Sequence, residues 1–353
     1  MARADAPGRV NLIGEHTDYN DGLVLPTAIP QRTTVELVPR ADDRVAASSD
    51  GFPRISYRLG AERRAGDWGD HLRGVTWALA DAGLGTGGFD VRIHSDVPVG
   101  AGLSSSAALE VAVLRALRVA FSLQLDDVAL ALIAHRAESG FVGARVGTMD
   151  QLAASLGHDR EALLIDTRTL RIERVRLPRE LALVVIHSGV AHEHSTGGYN
   201  TRRDECDAAA RALGVPALRD ATSDAVARLA GTEPLLARRA RHVVTENERV
   251  RAFVDALRAG DLVACGKLLD ASHVSLRDEF QVSTPEVDAL VALLAREAGV
   301  YGARIVGGGF GGSVLALARP DAASGAASRA ADAYRSRTGC DPRVLLPRAS
   351  SEI

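Results

Sequence analysis

Residues 97 to 109 read Val97-Pro98-Val99-Gly100-Ala101-Gly102-Leu103-Ser104-Ser105-Ser106-Ala107-Ala108-Leu109. Two glycines let the backbone turn tightly and approach a ligand closely. Three serines follow, where an apolar pattern of helical period begins and runs to Phe121. The only polar stripe in that pattern is Arg115, Arg118 and Ser122, so the helix reads as buried. Hydroxyls and unpaired N–H groups at the positive end of a helix hold an anion. A capping serine behind a glycine turn would use the same letters, although three serines exceed what a cap requires.

Outward from this loop, strand-like stretches (Val10–Ile13, Leu23–Ile29, Thr33–Val38, Phe89–His94) fill much of the first hundred residues. Helical patterns cover Ser105–Phe121 and Asp126–Glu138. The second half opens with a buried-strand run, Leu181–Ile186. Helical stretches follow around Asp204–Leu213, Leu235–Ala259 and Pro285–Ala298, with a late apolar strand at Ser313–Ala318. Strands and helices are interspersed without the regular alternation of a doubly wound sheet, which predicts an α+β protein. Its length of 353 residues suits two domains. The charged segment Arg168–Arg179 sets the expected division, 1–175 and 176–353.

Composition excludes several functions. Lys+Arg 42 against Asp+Glu 45 leaves a formal charge of −3, with no electrostatic footprint for nucleic acid and no polybasic membrane patch. No apolar run is longer than Val128–Ala134, far short of a membrane span. With no secretory signal at the start, the expectation is a cytoplasmic chain. Lysine occurs once, at Lys267, in an amphipathic stretch (Asp261–Ser272) with no glycine loop before it. A Walker A loop, a protein kinase and a pyridoxal enzyme each need a placed lysine, so none can be written onto this chain. Phosphate, if bound, must be held by backbone N–H groups, hydroxyls, arginine or a metal. Cys206, Cys265 and Cys340 are scattered and odd in number, which fits packing residues better than a disulfide framework.

Four further segments carry candidate chemistry. Gly307-Gly308-Gly309-Phe310-Gly311-Gly312 is either a flexible turn or a surface that a ligand or another backbone approaches closely. Near the start, Arg9, Glu15, His16 and Asp18 crowd around a short strand and the turn Asn20-Asp21-Gly22. Those residue types suit a metal site, hydrogen-bond partners for a polyol, or a solvated turn, and the solvated turn leads. Asp150 falls in the first turn of an expected helix, where its charge is favoured. Glu138 precedes Ser139-Gly140, a helix C-cap in pattern; there the dipole disfavours a carboxylate, which is either a surface glutamate or one that needs a nearby cation. His187, His192 and His194 match no zinc spacing and read as loop histidines.

Together these segments resemble a known family. Pro7 to Asn20 resembles the galactokinase signature, and Gly100–Ser106 resembles the ATP-binding motif of the GHMP kinases. Gly307–Gly312 resembles their third motif. Gly147–Gln151, Gly198–Arg203 and Ser272–Asp278 are galactokinase-like as well. The resemblance implies a GHMP kinase fold, with an N-terminal domain like the second domain of ribosomal protein S5 and a ferredoxin-like C-terminal domain. It implies Arg9 and Asp150 as the catalytic pair, and Glu15, His16, Asp18, Gly147 and Tyr199 as sugar-holding residues. The triphosphate of ATP falls to Gly100, Ala101, Gly102, Leu103, Ser104, Ser105 and Ser106, and Mg²⁺ to Ser106 and Glu138. The implied reaction is phosphoryl transfer from ATP to the anomeric hydroxyl of galactose, by an enzyme expected to be a monomer.

Two departures stand out. Few residues precede Pro7, where the family usually has a longer leader that helps build the sugar end. Asp21 replaces a glycine common in that turn, and either residue suits it. The alternatives are a related kinase for N-acetylgalactosamine, L-arabinose or galacturonate, and a catalytically silent galactose sensor. The intact Ser104-Ser105-Ser106 run, with Asp150 and Arg9 both present, argues against the sensor.

Overall fold

The computed structural model describes residues 1–190 and 195–347, apart from the side chains of Ser195 and Thr196. Its strands are β1 (Ala2–Asn11), β2 (Leu23–Val24), β3 (Pro26–Pro39), β4 (Arg44–Ser49), β5 (Ile55–Arg58), β6 (Phe89–Ser95), β7 (Glu161–Asp166), β8 (Arg171–Arg176), β9 (Ala182–His187), β10 (Val300–Val306), β11 (Ser313–Ala318) and β12 (Arg343–Leu346). The helices are α1 (Gly69–Asp81), α2 (Ser105–Ala120), α3 (Asp127–Arg136), α4 (Met149–Leu156), α5 (Ser195–Leu213), α6 (Ser223–Leu229), α7 (Pro234–Ala259), α8 (Leu262–Ser275), α9 (Pro285–Leu294) and α10 (Pro320–Thr338). None of them is long and apolar enough to cross a membrane. Helices and strands are mixed, as expected for α+β.

Two compact units are built from interleaved segments: residues 1–9, 27–99 and 103–159 form one, and 10–26, 100–102 and 160–353 the other. In the first unit β3 is flanked by β1 and β6, and β4 pairs β6 in parallel before β5 closes the edge. Alternate residues of β3, such as Val35 and Leu37, point into a core shared with α1, α2 and α3. The expected strands Leu23–Ile29 and Thr33–Val38 are divided otherwise, as β2 and one 14-residue β3. The strand expected at Val10–Ile13 ends at Asn11, beyond which the chain enters a turn.

In the second unit, β9, β10, β11 and β12 form an antiparallel sheet in the order β10-β11-β9-β12. Numbered along the chain that order is 2-3-1-4, the ferredoxin-like arrangement. Strand β11 is buried at every position, and its Val314 and Ala316 join Val184 and Ile186 in a core with α5, α7, α9 and α10. Cys206 and Cys265 are buried and Cys340 half-buried, all three free thiols. Helix α5 starts nine residues before the expected Asp204, because the polar run Gly197–Arg203 hides the helical period.

Helix α8 lies on β10 with glycines at the contact, Gly266 on the helix and Gly302 on the strand. A Cβ at Gly266 would sit 1.9 Å from the Tyr301 carbonyl, and one at Gly302 would sit 2.1 Å from that of Gly266. Gly325 in α10 offers a contrast, since a Cβ there meets only the guanidinium of Arg329. Gly325→Ala should therefore stabilise the protein by about 0.5–1 kcal/mol through helix propensity. Gly266→Ala should destabilise it by at least ~2 kcal/mol through overpacking, despite the same gain in propensity. Urea unfolding of the two variants beside the wild type checks both signs.

Candidate functional site

In the first unit the serine loop does something other than cap its helix. Ser104 occupies the N-cap position of α2 in the left-handed conformation (φ 60°), and its side chain makes no cap hydrogen bond. Its hydroxyl instead donates to Asp150 Oδ2 at 2.6 Å. The first N–H groups of α2 are thereby left without a side-chain acceptor, the state suited to an anion. Asp150 is the second residue of α4, as the sequence predicts, and Arg9 donates to its Oδ1 through Nε at 2.8 Å and Nη2 at 2.7 Å. Arg9 is 5% exposed, at the end of β1. Gly147 is half-buried in the coil before α4.

Beside this pair, the Ser106 hydroxyl neighbours the Glu138 carboxyl and lowers its pKa. Glu138 is not a surface glutamate. It is 7% exposed, and burial raises its pKa to about 7 against the opposing Ser106 hydroxyl, with Asp150 raising and Arg9 lowering it. Nor is Gly140 a C-cap: α3 passes into a π turn over Ala137–Val142, and left-handed Gly143 ends it. The Gln151 amide donates to Glu138 Oε2 at 2.5 Å. Helix α2 also carries a buried charge outside the stripe of Arg115, Arg118 and Ser122. Glu110 is fully buried, its Oε1 is 2.8 Å from His71 Nδ1, and its pKa is raised by burial and then by Glu138. Sequence reading missed Glu110, although a lone acidic residue one turn after Ser106 in an apolar helix was the available signal. It missed Gln151 and His71 too.

In the second unit the signature loop is buried rather than solvated. Glu15 is 3% and His16 4% exposed, which overturns the solvated-turn reading. The loop is held from inside the fold. Arg304, completely buried on β10, donates to the carbonyls of Leu12 (2.8 Å) and Asn11 (2.6 Å) and reaches Glu15 Oε1 at 3.2 Å. The same Glu15 oxygen accepts from the Gly307 N–H at 2.9 Å, tying the signature to the glycine loop. Glu246 of α7 accepts from the Gly14 N–H, and Asn247 from the Leu23 N–H. Asp18 begins a 3₁₀ turn that ends at left-handed Asp21, so Asn20-Asp21-Gly22 is a turn but not a two-residue hairpin. Arginine in an apolar strand was the legible hint for Arg304; Glu246 and Asn247 carried none.

His16 sits among Tyr19, Tyr199 and Phe280, with ring centroids 5.9, 5.5 and 4.7 Å away. Its Nδ1 is 2.9 Å from the Tyr19 hydroxyl, and its buried Nε2 has no hydrogen-bond partner among the described residues. A polar atom in an aromatic cluster without a partner is what a hydroxyl-bearing ligand would satisfy. Tyr199, half-buried on α5, also contacts Gly308, where a Cβ would lie 3.2 Å from its ring. The glycine loop is a surface of close approach, not a free turn. At Gly309 (φ +83°) a Cβ would collide with Val282 at 2.5 Å, and one at Gly307 would lie 3.4 Å from the Gly102 Cα. Ala101 is fixed there by Ser313, whose hydroxyl donates to its carbonyl at 2.7 Å; Gly100 and Gly102 flank it with positive φ. His187 ends β9 rather than lying in a loop, while His192 and His194 lie outside the described residues.

The buried loop makes stability depend on acid. Burial, then His242 and Arg202, lowers His16 to a pKa of about 3; burial, with Arg249 opposing Glu246, lowers His242 to about 4. Burial alone would raise Glu246, but Arg249, His242 and Arg304 hold it at about 2. Unfolded, these histidines take up protons below about pH 6.5 and the glutamate below about 4.5, so the unfolded chain binds more protons and stability falls with pH. Each histidine should remove about 2 kcal/mol between pH 7 and pH 5. Urea unfolding at the two pH values should show the loss, and His16→Phe should shrink it by the share of one histidine.

Three family models match the chain: the GHMP kinases N terminal domain over residues 70–158, the galactokinase galactose-binding signature over 2–39, and the GHMP kinases C terminal domain over 253–336. A galactokinase of Roseiflexus sp. (strain RS-1) is 46% identical, covering 99% of this chain and 91% of the relative. One from Haemophilus influenzae (strain ATCC 51907) is 43% identical, covering 99% and 93%. Among solved structures, Lactococcus lactis galactokinase complexed with galactose superposes with a TM-score of 0.93 at 32% identity, covering 97% of this chain and 92% of that one. Methanococcus jannaschii mevalonate kinase, at 17% identity and a TM-score of 0.69, shares the fold. With full-length relatives at this identity and a family signature over the very loop that Arg304 and Glu246 hold, the chain belongs to the galactokinases of the GHMP kinase family.

Proposed function

We propose that the chain transfers the terminal phosphoryl group of ATP to the anomeric hydroxyl of galactose, forming galactose 1-phosphate in the entry step of galactose metabolism. The observation that carries this reading is the Asp150 carboxylate. One oxygen is bound by Arg9 and the other by Ser104, at the first turn of α4. In this reading Asp150 accepts the proton of the sugar hydroxyl, and Arg9 orients that carboxylate and offsets charge on the transferring group. A loose phosphoryl-transfer transition state asks more of positioning and electrostatics than of a strong base.

The remaining roles follow the local chemistry. Gly100 to Ser106 hold the triphosphate through backbone N–H groups and hydroxyls, because α2 begins without a side-chain cap. Glu15, His16, Asp18, Gly147 and Tyr199 hold the sugar, with His16 Nε2 seeking a hydroxyl. Magnesium fits the donors at Ser106 and Glu138: both are oxygens, and no guanidinium bonds the buried Glu138 carboxyl among the described residues. When bound there, Mg²⁺ supplies charge neutralisation on the phosphates. Residues 1–175 act in this scheme as the domain of the ATP loop and catalytic pair, and 176–353 as the second kinase domain. The enzyme is read as a cytoplasmic monomer acting on a small sugar, with neither nucleic acid nor membrane as partner.

The test is ADP release with MgATP across galactose, N-acetylgalactosamine, L-arabinose and galacturonate, for wild type and Asp150→Asn. Galactose-dependent release that falls by about 100-fold or more in the variant is expected. Release with another sugar alone would move the substrate. Galactose binding without turnover in the wild type would overturn the kinase reading in favour of a sensor.

A further inference from the structure

The first unit buries more acid around Glu138 than one magnesium ligand requires. Glu110, one helical turn beyond Ser106 on α2, is fully buried, and so is Gln151 on α4. One ring nitrogen of His71, a Glu110 oxygen and a Glu138 oxygen all lie within 4.8 Å of one another. Two carboxyl groups this close in a dry interior repel strongly unless one keeps its proton or a positive charge stands between them. No guanidinium or ammonium bonds either of them among the described residues. Two buried acceptors in the same cluster also lack partners among the described residues: Oε2 of Glu110, and Oε1 of Gln151, whose amide nitrogen is already bonded to Glu138. Buried oxygens without donors are costly, and a cation is one way to satisfy them.

We propose that His71, Glu110 and Glu138 form a binding site for a divalent transition-metal ion, distinct from a magnesium site at Ser106 and Glu138. One imidazole nitrogen with two carboxylates is a mixed donor set that favours Mn²⁺, Co²⁺ or Zn²⁺ over Mg²⁺, which prefers oxygen ligands and retained water. The ligands come from α1, α2 and the π turn after α3, so the ion would tie three elements together. His71 gives it an entry path, because its side chain is 25% exposed while Glu110 is 0% exposed. The two sites share Glu138 and differ in everything else.

The experiment titrates CoCl₂ into the full-length protein without nucleotide, reading visible absorption and heat, with MgCl₂ run in parallel. The variants are His71→Gln, which can keep a hydrogen bond to Glu110, Glu110→Gln, which preserves shape, and Ser106→Ala, which leaves the proposed ligands intact. The expected result is one Co²⁺ per chain with d–d bands, weakened by about tenfold or more in His71→Gln and in Glu110→Gln and retained in Ser106→Ala. Co²⁺ should also raise the wild-type melting temperature and leave that of folded His71→Gln unmoved. Absence of Co²⁺ binding by the wild type would overturn the proposal, as would binding unchanged in His71→Gln or binding lost in Ser106→Ala alone. That last outcome would place the ion on the Ser106 site, whereas failure of the galactokinase reading would appear in the sugar panel and leave this titration unaffected.

Discussion

Ser104 holds a left-handed backbone at the start of α2 and spends its hydroxyl on Asp150 rather than on its own helix. Both features cost stability: a non-glycine residue at positive φ is strained, and a helix without its cap loses about 1 kcal/mol. The return is two things placed together. The carboxylate of Asp150 is fixed between Ser104 and Arg9, and the N-terminal N–H groups of α2 remain available. A loop of this kind explains three consecutive serines, because each meets a different demand. Ser104 positions the acid, Ser105 opens the helix, and Ser106 meets Glu138.

The second unit solves a different problem, that of holding a short polar loop motionless inside protein. Glu15 could not be buried without countercharge, and Arg304 could not be buried without acceptors. Each satisfies the other, and the carbonyls of Asn11, Leu12 and Ile305 accept from the same guanidinium. Glu246 and Asn247 complete the arrangement from α7. The result is a signature whose backbone and Glu15 are held by hydrogen bonds from β10 and α7. Such preorganisation lets a hydroxyl-rich ligand be read by direction as well as by charge.

Buried ionisable groups thus recur in both units, and each is balanced in its own way. Asp150 is paired with arginine, Glu15 with arginine and a backbone amide, Glu246 with Arg249 and hydrogen-bond donors. Glu138 and Glu110 are exceptions, with amide, hydroxyl and imidazole neighbours but no bonded guanidinium or ammonium among the described residues. Polar groups left short of partners in an otherwise satisfied interior are where a structure points to what it binds.

Much of the chemistry was legible in order of sequence because it is local. Glycine spacing, a serine run ahead of an apolar helix and an acid in a first helical turn act over a few residues, so the start of α2, the place of Asp150 in the first turn of α4 and the α+β class could be read directly, whereas the roles of the serine loop, Arg9 and Asp150 came from the family resemblance. Burial and partner choice act over long sequence separations, and these only the tertiary structure decided. Arg9 and Asp150 are 141 residues apart, and Arg304 meets Asn11 across 293. The letters of the signature loop are those of a solvated turn, and the loop is buried only because Arg304, His242 and Glu246 arrive from elsewhere in the chain to satisfy it. Glu110 escaped notice for the same reason: its surroundings come from α1 and the turn after α3, and no periodicity along α2 records them.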